Sequence, residues 1–533
     1  MNRLIDYLFN FGAREPDWVS FTGKSEPRWL RYADLIRTPE HMVDGVVEQQ
    51  SQPLLYVLDG ARLATRSEAA EKIAETRRSL AMRGEPAWLG VLKPGRLDIY
   101  ATDPCPDLSA KPVRFLADDA QASAILPRLV NGEDLAEPAK VHLRDTLFGL
   151  ITDAGRALHD LGLSTSESIA LTGRALFFRY LMGRGIIEER HRSSISKHSA
   201  SLHECFSNHR ALAETNTWLD LTFNGDLLAL PGNKYERYFA DLGRRYGKRL
   251  YRPLQAILGL ETSKGSGASQ LQLDWGDLEF DHLPIGLLSE AYEELMLRLE
   301  PKIRKKTSVY YTPARIAEYM VAEALHEHPA KSRARILDPA CGAGVFLVAA
   351  FRKLAEKRFA ETGKRPDRSE LRTILDGQLT GFDINAHART LAALALYLTA
   401  LELDPNPTPV EALTFRKLED RVLIDVSDPI VEDKSGTNLM AGSLGKHMGQ
   451  DHHDQYDLVI GNPPWTNLPK DHEILAQQYT QRSREAADAR GLKEMARTYK
   501  NPNRHWACTV RPKRSGCRCL KRNDGLLGKA SGE

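Results

Sequence analysis

The residues best suited to chemistry lie in Tyr456-Asp457-Leu458-Val459-Ile460-Gly461-Asn462-Pro463-Pro464-Trp465. The apolar run reads as a buried parallel strand that stops at Asn-Pro-Pro-aromatic. Polar and aromatic groups are thereby set at a strand's carboxyl end, where open α/β sheets hold ligands. Pro463 and Pro464 lack N–H groups and fix φ, so the turn is stiff. The carbonyls of Asn462 and Pro463 can then accept hydrogen bonds from a ligand, and an amino group suits them. The same tetrapeptide also fits an ordinary strand-ending turn. A cofactor site upstream decides between the two.

Such a site is present at Arg335-Ile336-Leu337-Asp338-Pro339-Ala340-Cys341-Gly342-Ala343-Gly344-Val345-Phe346-Leu347, which reads as a buried strand, a glycine loop and a helix running to about residue 358. Gly342 and Gly344 let backbone approach a ligand that a Cβ would obstruct, and Asp338 at the strand end can take a ligand's ammonium. A dinucleotide fingerprint needs a third glycine where this chain has Leu347. The next strand, over 378–385, ends in Asp383, 39 residues beyond Gly344. Its two carboxylate oxygens match the two adjacent hydroxyls of a ribose, and Ile384 can lie against an adenine ring. The helix over 388–401 is almost wholly apolar and is expected to pack on the sheet, and a third strand is expected to include 421–424.

Asn462-Pro463-Pro464-Trp465 resembles the catalytic motif of amino-methyltransferases, which use S-adenosylmethionine to methylate an exocyclic amine, most often N6 of adenine in DNA. The Asp-Pro-Ala-Cys-Gly-Ala-Gly loop resembles the cofactor loop of those enzymes. Tyr310-Tyr311-Thr312-Pro313 resembles their Tyr-Thr-Pro segment, which closes over the methionine end of the cofactor. The order of these pieces is similar to the γ class of N6-adenine DNA methyltransferases, of the large restriction-modification and phage-exclusion type. The resemblance covers residues 285–468 closely and 165–285 loosely.

It implies a Rossmann-like S-adenosylmethionine-dependent methyltransferase domain, α/β in class, preceded by a helical domain and an N-terminal α/β module. It also implies Asn462, Pro463, Pro464 and Trp465 as catalytic residues, with Trp465 stacked on a flipped base. Tyr311, Thr312, Pro313, Asp338, Ala340, Gly342, Gly344, Phe346, Asp383 and Ile384 become the cofactor-binding set. The amine nitrogen would attack the cofactor's methyl group in line, its developing positive charge met by the oxygens of Asn462 and Pro463. Double-stranded DNA and other restriction or defence subunits follow as partners. Family members often carry Gly-Asp-Ser-Leu ahead of the catalytic strand; here Ala441-Gly442-Ser443-Leu444 lacks the acid. The same fold could instead serve cytosine N4, RNA or a protein glutamine, or persist as a non-catalytic binding remnant.

Four stretches must carry and surround these residues: 1–135, 136–284, 285–500 and 501–533. In the first, a strand over 53–59, a helix over 67–82 and strands over 87–92 and 96–100, joined by Lys93-Pro94-Gly95, form an α/β module. That outline invites comparison with nuclease domains fused to methyltransferases. Metal-dependent cleavage, however, needs clustered carboxylates and a Glu-x-Lys strand, and the hairpin offers Val91-Leu92-Lys93, so a structural or docking role is expected. The second stretch turns helical, with Leu147, Leu150, Ile151, Ala154 and Leu158 at helical spacing and an apolar helix over 169–182. Arg174 and Arg179 within that helix are expected to serve packing rather than DNA contact. Residues 221–227 read as a turn closing this stretch, and 261–270 as a flexible loop.

In the third stretch a helix over 287–299 precedes the basic run at 302–306, which suits a solvated face or a phosphate backbone. Thr312 is expected to cap a helix through Ile316, Tyr319, Met320 and Ala324, with Pro313 at its first position. Beyond Trp465 a polar helix over 473–499 gives way to an aperiodic Arg-, Lys- and Cys-rich tail. A frame lost near residue 510 is the expected cause, which would leave the catalytic sheet incomplete.

Composition bounds these readings. A chain of 533 residues with 42% hydrophobic content should hold two to four globular domains. Lys plus Arg (73) nearly balances Asp plus Glu (71), so any nucleic-acid surface is a local patch. No stretch has the length of a membrane span and no signal peptide opens the chain, so a cytoplasmic location is expected and membrane association is not. Six scattered cysteines make no disulfide framework. No metal ligation is expected at His326, His328, His452 or His453.

Overall fold

The computed structural model describes residues 3–462 apart from 24, 37–41, 50–51, 64–65, 105, 110, 120, 132–142, 224–227, 232–233, 260–277, 300–311, 327, 329, 406–414, 427–430, 433–437, 440–451 and 453–454. The expectations for 261–270, the basic run, Tyr311, 441–444, Pro463, Pro464, Trp465 and everything beyond lie outside the described residues. Two compact units are present, Met1–Pro301 with Pro405–Arg416, and Lys302–Asp404 with Lys417–Glu533. The divisions at 135/136 and 284/285 suggested by the sequence both lie inside the first unit, so residues 285–301, grouped by the sequence with the catalytic stretch, fall in it.

The first unit begins with a six-stranded sheet in sequential order: β1 (Trp18–Ser20), β2 (Gly45–Gln49), β3 (Gln52–Asp59), β4 (Trp88–Lys93), β5 (Arg96–Ala101) and β6 (Val113–Leu116). Only β3 and β4 run parallel, because α1 (Arg66–Ala81) carries the chain across between them, whereas the other neighbours are antiparallel. Side chains alternate in period two, with Leu55 and Val57 on one face and Tyr56 and Leu58 on the other. Each face has its own apolar cluster, so both are covered. Pro94-Gly95 makes the expected turn, with Gly95 at φ +69°. The sequence pattern alone does not reveal β1, β2 or β6. β2 is partnered on both sides yet contains the polar pair Glu48 and Gln49, which breaks the hydrophobic signature.

The same unit continues in helices α2 (Leu143–His159), α3 (Thr165–Gly183), α4 (His209–Phe223), α5 (Tyr235–Tyr246), α6 (Lys248–Ile257) and α7 (Ile285–Leu299). α3 starts four residues earlier than its apolar run, because Ser164 and Glu167 form a reciprocal capping box. Arg174 is fully buried: it donates to Leu228 O at 2.9 Å, Asn216 Oδ1 at 3.2 Å and Asp220 Oδ1 at 2.6 Å. Arg179 donates to Leu258 O at 3.2 Å. Both arginines serve packing, as expected. α4 runs through Phe223, so Leu221 to Phe223 end a helix and do not form the turn that the sequence suggests.

The second unit holds a four-stranded, wholly parallel sheet in the order β12-β7-β8-β9: β7 (Ile336–Asp338), β8 (Leu379–Asp383), β9 (Leu423–Asp425) and β12 (Leu458–Val459). An antiparallel pair, β10 (Val431–Glu432) and β11 (Asn438–Leu439), lies between β9 and β12 in the chain. Helix α8 (Ala314–Leu325) comes first, followed after β7 by α9 (Val345–Thr362) and α10 (Arg368–Gln378), and after β8 by α11 (Ala386–Leu403). The α/β class and parallel order are those expected of the methyltransferase-like region.

Asp367 and Glu370 cap α10 reciprocally, a start signal present in the sequence but unused above. α8 buries Ala317, Val321 and Leu325, while Ile316 and Tyr319 are 51% and 61% exposed, so the residues picked from the sequence do not mark its buried face. Among the described residues no helix is long and apolar enough to cross a membrane.

Candidate functional site

Strand order creates the site. From β7 the chain moves through β8 to β9 on one side, then returns to lay β12 against the opposite edge of β7. The carboxyl ends of β7 and β12 therefore flank a point where the winding reverses, the place at which open α/β sheets form a crevice. Asp338 ends β7, and Gly461-Asn462 follow β12.

The two strand ends touch. Leu458 pairs with Ile336 and Val459 with Leu337, and Ile460 N donates to Leu337 O at 2.9 Å. One residue on, a Cβ added to Gly461 would lie 2.3 Å from Asp338 Oδ1 and 3.2 Å from Pro339 Cδ. Any larger residue there would have to push the Asp338 carboxyl aside. The register is fixed upstream by Asp457, whose Oδ2 accepts from Arg335 N at 2.8 Å, and by Arg335, whose guanidinium lies 5.7 Å from the Tyr456 ring centre.

Asp338 is buried, and its Oδ1 accepts from Ala340 N at 3.1 Å while its Oδ2 has no hydrogen-bond partner among the described residues. Burial raises its pKa to about 8; the Ala340 N–H opposes the rise and the nearby Asp383 charge adds to it. A carboxyl in this state is poised for a cationic partner, which would return it to the ionised form.

The glycine loop bridges β7 and β8. Cys341 N donates to Phe382 O at 2.8 Å, and Gly342 N donates to Asp383 Oδ2 at 2.8 Å. The two loop glycines differ in purpose. Gly342 has φ +52° and, among the described residues, nothing within 4 Å of an added Cβ. Gly344, at φ +86°, would place a Cβ 3.0 Å from Ala392 Cβ, so it permits the close approach of α9 to α11.

At the end of β8, Asp383 takes a second backbone bond from Asn385 N at 2.8 Å, and burial pushes its pKa up despite these donors. The carboxylate can accept up to roughly four hydrogen bonds, so backbone donors need not exhaust it. Asn385 caps α11 by accepting from His387 N. Ile384 is 44% exposed beside it, an uncommon placement for an isoleucine, whereas Phe346 is buried at 2% exposed.

Thr312 does not cap α8. The helix opens at Ala314, with Pro313 as the preceding cap residue whose carbonyl accepts from Ile316 N at 2.9 Å. The Thr312 side chain is used elsewhere: Asn462 Nδ2 donates to its Oγ1 at 3.0 Å across 150 residues of sequence. The structure thus brings Thr312, Asp338, Ala340, Gly342, Gly344, Asp383, Ile384 and Asn462 to the loops at one end of a single sheet. Gly461 is the residue that sequence reasoning passed over, and its signal was a glycine directly before the asparagine at a strand's end. His452, by contrast, packs on Tyr456 and Phe382 and bonds Tyr456 Oη at 2.6 Å.

Residues 284–491 match the family model described as N-6 DNA Methylase. A relative in Streptomyces coelicolor (strain ATCC BAA-471 / A3(2) / M145), the adenine-specific methyltransferase PglX, is 24% identical over 202 residues. That match covers 34% of this chain and 16% of the relative, so the chain spans only a small part of that protein's length. Among solved structures, a DrdV–DNA complex aligns over 83% of this chain and 40% of its own at 15% identity and a TM-score of 0.34. A modification subunit of a putative type I restriction enzyme from Vibrio vulnificus YJ016 aligns over 64% and 68% at 15% identity and a TM-score of 0.31. The glycine loop, the strand-end acids and the asparagine after β12 all lie within residues 284–491, the stretch that is similar to the N-6 DNA Methylase family model.

Proposed function

We propose that this chain is an S-adenosylmethionine-dependent methyltransferase that modifies the exocyclic N6 of adenine in double-stranded DNA, as part of a restriction-modification or phage-defence system in the cytoplasm. The observation that carries the proposal is the junction of β7 and β12, where a ligand-ready carboxylate, Asp338, and an amide, Asn462, are set one residue apart across Gly461.

The residues present fit the cofactor. The buried Asp338 Oδ2, which lacks a partner among the described residues, suits its α-ammonium. Gly342, without a Cβ, leaves room for its chain, the carboxylate of Asp383 suits the ribose hydroxyls, and the exposed Ile384 offers an apolar surface to the adenine. When bound, the cofactor supplies an electrophilic methyl group on a sulfonium. What the chain itself does is hold and orient. Asp338 and Asp383 fix the two ends of the ligand, and Asn462 Oδ1 accepts a hydrogen bond from the target amine. Positive charge developing on the attacking nitrogen is stabilised by that oxygen, in a crevice where a preoriented dipole is worth more than in water. Pro463 O is proposed as a second acceptor, and Trp465 as the face on which an extruded base stacks. The Asn-Pro-Pro-Trp sequence and the family match of the domain support both roles.

The test is to incubate the full chain with methyl-labelled cofactor and double-stranded DNA, and to digest the product to nucleosides. Label in N6-methyladenine supports the proposal. Label in N4-methylcytosine, RNA or protein glutamine moves the acceptor while keeping the fold and mechanism, and no label in any acceptor refutes methyl transfer by this chain.

A further inference from the structure

We infer that Thr312 is a positioning residue for Asn462: its hydroxyl holds the amide nitrogen, so that the amide oxygen is the end turned toward the acceptor amine. The inference rests on Asn462 being the group that receives the target amine, and it gives Thr312 a task distinct from contact with the cofactor.

An asparagine amide has two ends of nearly equal size and opposite hydrogen-bonding character. Rotation by half a turn about its last torsion exchanges them at little steric cost. For an amine acceptor the two states are far from equivalent, because the oxygen accepts the amine's N–H whereas an NH2 in its place meets that N–H donor to donor. A site that relies on this oxygen therefore needs the carboxamide held in the correct sense; a hydroxyl can bond either end, and here it accepts from the nitrogen, which leaves the oxygen on the other side.

The structure supplies two restraints of different kinds. The backbone leading to Asn462 is held through Ile460, which pairs with Leu337, and through Gly461, which is pressed on Asp338. The side chain is held separately by Thr312 Oγ1, 3.0 Å from Nδ2. Thr312 can fill this role because of where it sits. It is largely buried, at 9% exposed, and immediately precedes Pro313, so its own backbone is restricted to extended geometry and it stands just outside α8. A threonine directly before a helix normally spends its hydroxyl on the first turn. Here the helix starts one residue later than that arrangement requires, and the side chain lies against Asn462 instead.

The experiment compares Thr312→Val, which keeps the shape and removes the hydroxyl, with Thr312→Ser, which keeps the hydroxyl. Single-turnover methyl transfer is measured at saturating S-adenosylmethionine, and cofactor binding separately by calorimetry. Expected is a loss of about tenfold or more in the transfer rate of the valine variant, with cofactor Kd unchanged within about threefold and most of the loss recovered by serine. In parallel, protein labelled with 15N at asparagine is observed by NMR without cofactor, the Asn462 carboxamide pair being assigned by its absence in Asn462→Asp. That pair should shift in Thr312→Val and stay in place in Thr312→Ser.

A valine variant that transfers at the wild-type rate overturns the inference, as does one whose whole defect lies in cofactor affinity, or one whose Asn462 carboxamide signals do not move. If the wild-type chain transfers no methyl group at all, the functional proposal fails, and the carboxamide signals alone decide whether Thr312 orients Asn462.

Discussion

Gly461 and Asp338, from neighbouring parallel strands, approach so closely that a Cβ on the glycine would lie 2.3 Å from the aspartate Oδ1. Both are confined: Asp338 is 1% exposed at the end of β7, and Gly461 follows a residue hydrogen-bonded to Leu337. Gly461→Ala should therefore displace the Asp338 carboxyl and part the two strand ends. The expected outcome is a cofactor affinity lowered about tenfold or more, with about 1–3 kcal/mol of stability lost to overpacking. Calorimetric titration and thermal unfolding measure the two effects, and an alanine variant with wild-type values for both would show that the contact is not a constraint.

Asp338 also predicts how binding depends on pH. Its pKa is pushed up to about 8, mainly by burial, so without a cationic partner the folded protein keeps a proton that the unfolded chain has already lost. Between the ordinary aspartate value and about 8 the unfolded state binds fewer protons than the folded one. Stability should consequently fall as pH rises through this window, by at most about 1.4 kcal/mol per pH unit. The Asp383 carboxyl on the adjoining strand acts on Asp338 through its charge, and both carboxyls act on the buried Cys341 thiol of the loop. Ligand binding has the opposite sign: an ammonium favours the carboxylate, so affinity for S-adenosylmethionine should rise by up to tenfold per unit between about pH 6 and 7.5, with release of up to about one proton. Calorimetry in buffers of different ionisation enthalpy detects that proton. Asp338→Asn should show neither slope, and a wild-type affinity flat across the range would mean that Asp338 does not receive the ammonium.

The two loop glycines should respond differently to the same substitution. Gly344→Ala forces a Cβ to within 3.0–3.1 Å of Ala392 and strains a backbone at φ +86°, so its principal effect should be a stability loss of about 1–3 kcal/mol. Gly342→Ala meets nothing among the described residues and should carry mainly the cost of φ +52°, about 1 kcal/mol, while its methyl group would intrude on the proposed cofactor site. It should lower cofactor affinity more than stability. Denaturant titration set beside binding isotherms separates the two, and equal effects on both quantities in both variants would contradict the distinction.

How much of this could be read from the chain depends on whether each signal was local. The strand, glycine loop and helix around Asp338 were legible, because an apolar run, two closely spaced glycines and the helix that follows them are all encoded within a few residues. The same holds for β3, β4 and β5 and for the packing role of Arg174. What was not legible is tertiary. β12 pairs with β7 from about 120 positions away, and nothing near Gly461 says that its hydrogen atom faces an aspartate. Thr312 failed as a cap for the same reason: its sequence context is that of a helix start, but a distant amide claims the hydroxyl. Ile316 and Tyr319 on α8 fit the helical period, yet the neighbours that decide which side of a helix is buried come from elsewhere in the chain. The buried helix α11 needed no such help, since it is apolar on every side.

The central claim is that Asn462 acts on the acceptor amine and not on the cofactor. Single-turnover methyl transfer to double-stranded DNA by wild type and Asn462→Ala, with cofactor affinity measured on the same preparations, tests it most directly. The account predicts that the alanine variant binds S-adenosylmethionine within about threefold of wild type while its transfer rate falls by about a hundredfold or more, the scale of removing one preorganised group from a developing charge. Transfer that survives the substitution at a comparable rate would contradict it.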